Sequence, residues 1–82
     1  MISEKTKNQA NDALRELKEA IYHTVLDHNY AKRCLTKDFS FELGWTTSQD
    51  VEIVRGILNK LKAEGLVENL EGNEEAWRPK KY

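Results

Sequence analysis

Polar side chains between residues 47 and 60 are of the types that recognise duplex DNA. In the major groove, asparagine and glutamine pair with adenine, arginine pairs with guanine, and a carboxylate accepts from the cytosine amino group. Gln49 and Asn59 are the candidates for adenine, Arg55 for guanine and Glu52 for cytosine, and hydroxyls at the start of the segment would meet phosphate. A solvated polar face would give the same pattern. The candidates are Thr47, Ser48, Gln49, Glu52, Arg55, Asn59 and Lys60.

Basic residues that would bind phosphate lie in two short groups on either side of this segment. Together they would supply about five or six contacts of the kind that make DNA affinity depend on salt. The segment GLVENLEGNEEAW, residues 65–77, carries four glutamates, so we expect its tip to avoid phosphate. The two basic groups are Lys32, Arg33 and Lys37, and Arg78, Lys80 and Lys81.

Histidine and cysteine residues give little support for catalysis or metal binding. His23 and His28 are five residues apart, a spacing that does not place both on one helical face, and no paired Cys or His motif accompanies them. Cys34 has no base beside it in the sequence, and no glycine-rich phosphate loop is present. The sequence therefore predicts no enzyme, no metal site and no cofactor.

The composition is that of one small folded domain. Of the 82 residues, 39% are hydrophobic and 33% are charged, and the net charge is −1. This charge balance gives no global attraction for a polyanion, so DNA binding would require a local patch. The single cysteine excludes an internal disulfide and favours a reducing compartment. We expect a cytoplasmic protein without a membrane contact, because no apolar run approaches ~18 residues and no signal peptide is present.

Apolar residues recur over residues 10–25 at the three-and-four spacing of one helical face. We predict a first helix there, capped by Ser3 or Asn8 and ending at the sequence DHNY. Residues 1–9 contain few apolar side chains, so they are interpreted as an extension that either belongs to this helix or contacts a partner. Residues 10–82 are interpreted as the domain.

Two further helices are predicted next. Thr36 begins a short second helix that Gly44 stops. A third helix runs from about residue 47 to residue 64 and ends at Gly65, which suits a left-handed C-terminal position. Its apolar stripe consists of Val51, Val54, Ile57, Leu58 and Leu61.

Two strands, residues 66–70 and 76–78, are predicted after the third helix and are joined by a turn at a Gly-Asn dipeptide. A two-residue loop there would bring two glutamates opposite each other, which is unfavourable. We therefore predict a three-residue loop in which Leu70 faces Ala76. We also consider a third short strand at residues 31–35.

The motifs LTKDFSFELGW and VRGILNKLKAEGLVE resemble the winged helix-turn-helix superfamily over residues 35–78. The resemblance implies an α+β fold, a three-helix winged helix-turn-helix with a C-terminal two-stranded β-hairpin wing. Two features differ from the family pattern: the acidic wing, and about three additional residues between Gly44 and Val54. The motif residues are Leu35-Thr36 and Leu43-Gly44, which bound the second helix, and Gly65-Leu66-Val67, which enters the wing.

The resemblance and the candidate residues lead to the hypothesis of a small DNA-binding protein, a transcriptional regulator with its third helix in the major groove of double-stranded DNA. A homodimer through the first helix would add a second half-site. The alternative is a protein-protein interaction module that does not bind DNA and meets a basic protein partner through the third helix or the acidic wing. Gly56, inside the third helix, would permit close approach of a partner or be a neutral replacement.

Overall fold

The structure, a computed structural model, describes residues 1–28 and 34–80. Three helices are followed by a C-terminal two-stranded antiparallel hairpin. The predicted α+β class is therefore confirmed, and the arrangement is compatible with a winged-helix topology. The elements are α1 (Glu4–His28), α2 (Thr36–Glu42), α3 (Ser48–Ala63), β1 (Val67–Leu70) and β2 (Asn73–Pro79).

α1 is a 25-residue helix whose two halves have different surroundings. Ser3 caps it, because its Oγ accepts a hydrogen bond from the backbone N of Thr6 at 3.2 Å. In the second half, Ile21 and Val25 are completely buried. In the first half, every residue before Leu14 is exposed. Most of the predicted N-terminal extension thus belongs to the helix without entering the core.

α2 begins at Thr36, as predicted, and α3 begins at Ser48, directly after its cap residue Thr47. At α3, Thr47 Oγ1 accepts from the backbone N of Asp50 at 3.1 Å, and the Asp50 carboxylate accepts from the Thr47 backbone N at 3.4 Å. At α2, the Asp38 carboxylate accepts from the backbone N of Leu35 at 3.1 Å. Gly44 follows α2 with a φ of 80°, a left-handed conformation that favours glycine.

The hydrophobic core lies where the three helices meet the hairpin. Trp77 of β2 is 1% exposed, and its Nε1 donates to Oγ1 of Thr36 at 2.8 Å. This buried hydrogen bond joins the hairpin to the first turn of α2. Trp45 and Cys34, which carries a free thiol, are half-buried against the core. The buried cluster consists of Ile21, Val25, Phe39, Val54, Ile57, Leu58, Leu61, Val67 and Trp77.

The hairpin register differs from the predicted one. The prediction placed Leu70 opposite Ala76 across a three-residue loop. Instead, Leu70 pairs with Asn73. The turn consists of Glu71 and Gly72, and the φ of 80° at Gly72 explains why the glycine occupies this position. β1 ends at Leu70, as predicted, but β2 begins at Asn73, so Asn73 lies in the strand and not in the predicted Gly-Asn turn.

The same register contains an irregularity in β2. Pairing shifts between Asn69 and Leu70, so residues 74–76 stand between the β2 partners of two consecutive β1 residues. The Asn69 side-chain amide donates to the carbonyl oxygens of Glu74, at 2.9 Å, and Ala76, at 3.2 Å. The side chain thus satisfies backbone groups in a segment where the regular ladder is interrupted. We call residues 74–76 the bulge segment.

Of the third strand predicted at residues 31–35, the structure describes only residues 34 and 35. Leu35 forms an isolated antiparallel bridge with Ala76 of the bulge segment. Next to it, the backbone N of Trp77 donates to the carbonyl oxygen of Cys34 at 2.8 Å. The earlier part of that range lies outside the described residues.

Candidate nucleic-acid interface

The outward side of α3 carries the polar residues predicted to contact DNA. Gln49, Glu52 and Asn59 are exposed on the side away from the buried stripe. Arg55 lies at the edge of this surface, with 29% of its side chain exposed. The placement agrees with the helical pattern, and the roles in DNA binding stay predictions. We define the α3 face as Ser48, Gln49, Glu52, Arg55, Gly56, Asn59 and Lys60.

Gly56 leaves an opening within the α3 face. A methyl group built on its Cα would meet no heavy atom within 4 Å among the described residues, apart from the backbone of its own helix. The position is helical, so no turn requires a glycine there. An interior helical glycine costs about 1 kcal/mol relative to alanine. Among the described residues, no packing contact explains why position 56 is a glycine.

Arg55 is held by two carboxylates, one from the hairpin and one from its own helix. Its Nε lies 3.1 and 3.0 Å from the two carboxylate oxygens of Glu75, and its Nη2 lies 2.7 Å from Oε1 of Glu75. Its Nη1 donates to Oε1 of Glu52, three residues earlier on α3. The paired hydrogen bonds to Glu75 fix the plane of the guanidinium. The three groups together carry one excess negative charge.

The ionisation of this cluster follows from its hydrogen bonds. The hydrogen bond from Arg55 lowers the pKa of Glu75 below its ordinary value, although desolvation opposes the change. The hydrogen bonds to Glu75 and to Glu52 raise the pKa of Arg55. Both partners therefore stay charged at neutral pH. Because the Glu75 side chain is 48% exposed, solvent screens the pair, and its main effect is to orient Arg55.

Two grooves meet at the Arg55–Glu75 pair. The first, of about 370 Å³, lies between the start of α2, α3 and the hairpin. The second, of about 250 Å³, lies between α3 and the hairpin. The structure thus brings Lys37 and Asn59, both predicted site residues, beside Arg55. The first groove is lined by Leu35, Thr36, Lys37, Val51, Arg55 and Glu75, and the second by Arg55, Asn59, Lys62, Asn69, Glu74, Glu75 and Trp77.

Several polar residues of the second groove were not predicted to belong to the site. Lys62 Nζ donates to Oδ1 of Asn69 at 2.7 Å, which ties α3 to β1. Glu75 fixes Arg55 from the bulge segment. A spacing of three residues does signal a helical ion pair between Glu52 and Arg55. The contact with Glu75 has no such local signal, because it depends on the irregular register of the hairpin.

The remaining predicted residues lie around this site or elsewhere. Thr47 Oγ1 is engaged by the α3 cap, and Ser48 is exposed beside it. Arg78 Nε pairs with Oε1 of Glu68 across the hairpin at 3.5 Å. Neither Arg78 nor Lys80 lines the two grooves. Outside the described residues lie Lys32, Arg33 and Lys81.

Among residues 1–28 and 34–80, no helix is both long and apolar enough to cross a membrane. In the same residues, no group of three or more His, Cys, Asp or Glu side chains is arranged to hold a metal ion. Comparison of the chain with protein-family profiles, with curated proteins and with solved structures found no match.

Proposed function

We propose that this chain is a winged helix-turn-helix protein that binds double-stranded DNA, with α3 in the major groove, and acts as a transcriptional regulator. Gln49 and Asn59 stand ten residues apart on the α3 face, about 15 Å along the helix axis. This distance corresponds to roughly four base pairs of duplex. Lys37, exposed beside the first groove, supplies a positive charge for a phosphate next to that surface.

The opening at Gly56 is the observation that carries this proposal. A recognition helix must approach the floor of the major groove, where the base edges lie. A residue without a side chain shortens that approach for the neighbouring Glu52 and Asn59, which flank Gly56 on the α3 face. A merely solvated face gains nothing from a glycine that destabilises the helix. The cost of Gly56 is therefore consistent with a close macromolecular contact.

Binding of bulk duplex DNA at about 20 mM salt tests the proposal, since counterion release is strongest at low salt. We expect binding that weakens as salt is raised. Lys37→Ala and Lys60→Ala should each lower the affinity and reduce the slope of log affinity against log salt by about 0.9. Arg15→Ala, which removes an exposed cation paired with Asp12 on α1, is the matched control and should leave the slope unchanged. Absence of binding by the unaltered protein at this salt concentration would contradict the proposal.

A second variant separates a lost contact from lost folding. Gly56→Ala should raise the free energy of unfolding by up to about 1 kcal/mol, because alanine favours the helix and the added methyl group has space. The same methyl group should lower the DNA affinity if this position faces the groove floor, and Gly56→Leu should lower it further. A stability gain with unchanged affinity would show that Gly56 does not face DNA.

We also propose that the protein is a homodimer through α1. With 25 residues, the helix is about 37 Å long. Residues before Leu14 contribute nothing to the buried cluster, yet Ala10 and Ala13 continue the apolar spacing on an exposed surface. Ile2, 63% exposed, adds an apolar side chain ahead of the helix. Pairing two copies would bury this surface and supply two DNA half-sites.

Sedimentation equilibrium tests the dimer. The unaltered protein should sediment as a dimer, and Ala13→Glu should convert it to a monomer with unchanged helix content, because Ala13 is exposed in the single chain. Arg15→Glu changes the charge on the opposite side of α1 and should leave the dimer intact. An unaltered protein that remains monomeric at high concentration would count against dimerisation.

A second candidate function, a protein-protein interaction module, is supported by the charge of the hairpin. Glu75 and Glu52 neutralise Arg55, and Ile53 on α3 is 49% exposed. A basic protein partner would be attracted to such a surface, whereas DNA phosphates would be repelled. Failure to bind duplex DNA at about 20 mM salt would favour this function. The hairpin glutamates are Glu68, Glu71, Glu74 and Glu75.

A further inference from the structure

We infer that Arg55 and Glu52 act together to recognise a G·C base pair through the major groove, and that Glu75 is the positioning residue that aims Arg55. The inference rests on the proposed DNA binding and specifies the duplex that would be preferred. It is carried by the cluster in which one guanidinium contacts a carboxylate on each of two different elements.

Glu75 occupies one edge of the guanidinium and leaves donors available beyond it. An arginine has five N–H donors, and the bonds to Glu75 use that of Nε and one of Nη2. The second N–H of Nη2 and the two of Nη1 point away from that edge. One N–H of Nη1 donates to Glu52, which leaves one donor on each of the two nitrogens. These are the donors that reach guanine O6 and N7 in a bidentate contact. A carboxylate behind the guanidinium therefore selects the orientation that such a contact requires.

Glu52 supplies the acceptor that completes the pattern. In the major groove a G·C pair presents the acceptors N7 and O6 of guanine followed by the N4 amino donor of cytosine. Arg55 offers donors, and Glu52 lies directly beside Arg55 Nη1 with acceptor oxygens. An A·T pair presents a donor, the N6 amino group, between two acceptors. An A·T pair would therefore place its N6 amino donor against an N–H donor of the Arg55 guanidinium. The arrangement of Arg55 and Glu52 therefore matches G·C.

Because of its charge, the cluster is expected to affect the preference among base pairs and not the overall affinity for DNA. Arg55 is neutralised by two carboxylates, and the Glu52 side chain is 70% exposed, so it can adjust when a base pair enters. The cluster adds no net attraction for phosphate. Its contribution to DNA binding is discrimination between base pairs, and phosphate contacts from residues such as Lys37 and Lys60 supply the affinity.

Three duplexes of about 20 base pairs, two helical turns, test this inference. They alternate G with C, A with T, and inosine with C. Inosine keeps the major-groove pattern of guanine but lacks its minor-groove amino group. We expect the G·C and inosine·C duplexes to bind equally and at least about fivefold more tightly than the A·T duplex.

Variants of the cluster give the decisive comparison. Arg55→Lys keeps the charge but loses the bidentate geometry, and Glu75→Gln removes the carboxylate that orients Arg55. Both should abolish the G·C preference, while binding of the A·T duplex at low salt stays the same or rises for Glu75→Gln. Lys60→Ala should weaken all three duplexes and keep the preference. Thermal unfolding of each variant checks that the fold is retained.

The outcomes distinguish the inference from the function on which it rests. Salt-dependent binding without preference among the three duplexes would overturn the inference alone. So would inosine·C binding like A·T, which would indicate minor-groove recognition, or a Glu75→Gln variant that binds every duplex more tightly at an unchanged ratio. Failure of the unaltered protein to bind any duplex would overturn the proposed function together with the inference.

Discussion

Trp77→Ala is expected to lower the free energy of unfolding by about 3–5 kcal/mol. The indole is 1% exposed and is among the largest of the fully buried side chains, so its removal leaves a cavity where the hairpin meets the helices. A domain of this size has roughly 3–5 kcal/mol of net stability. We therefore expect a largely unfolded protein at 25 °C, seen as loss of the cooperative urea transition by circular dichroism.

Trp45→Ala is the matched control for this substitution. Trp45 packs against the same core but is only half-buried, so its truncation removes less apolar contact and should cost less stability. Each variant replaces one of the two tryptophans by alanine, so the two variants have the same amino-acid composition and differ only in the position changed. If Trp77→Ala lost no more stability than Trp45→Ala, the packing of the hairpin described above would be wrong.

Thr36→Val is expected to lower the free energy of unfolding by about 1–3 kcal/mol, although the two side chains have nearly the same shape. Thr36 Oγ1 accepts the hydrogen bond from Trp77 Nε1 at 2.8 Å, and both residues are about 1% exposed. Valine would leave the indole N–H buried without an acceptor. Urea unfolding of the two proteins measures the difference.

A double-mutant cycle identifies the hydrogen bond as the cause. Trp77→Phe removes the donor, so Thr36→Val should cost less in that background than in the unaltered protein. Thr46→Val, at an exposed threonine, should change stability little. Equal costs of Thr36→Val in both backgrounds would contradict a stabilising bond between the hairpin and α2.

The helices could be predicted from the sequence because their signals are local. Apolar residues at helical spacing placed Val54, Ile57, Leu58 and Leu61 in the core, where the structure has them buried. The third helix was predicted to begin at about residue 47, and Thr47 caps α3. In each case the residues that determine the structure lie within one or two turns of the element itself.

The hairpin register could not be predicted in the same way. Local turn preferences and like-charge repulsion favoured Leu70 opposite Ala76. The observed register depends on the Asn69 side chain, which satisfies carbonyl groups of the bulge segment, and on the bridge from Ala76 to Leu35. The second contact joins residues 41 positions apart in the chain. Rules for pairing two strands that are adjacent in the sequence cannot predict this bridge.

The candidate site was therefore predicted only in part. Helical geometry alone indicated that Gln49 and Asn59 would be exposed together, and they are. The partner of Arg55 depends on the bulge segment, because that segment carries Glu75 to α3. The sequence indicated an acidic hairpin but not that one of its carboxylates would bind the candidate guanine-recognising side chain.

The bulge segment is also a position where the hairpin can become longer without loss of strand pairing. Glu74 and Glu75 are exposed and face no residue of β1, so a residue inserted before Glu75 would leave the pairs of Val67, Glu68 and Asn69 and the Ala76–Leu35 bridge in place. Such a change would move the Glu75 carboxylate relative to α3 without altering any residue of the helix. A change in hairpin length would therefore alter how Arg55 is held while the sequence of α3 stays the same.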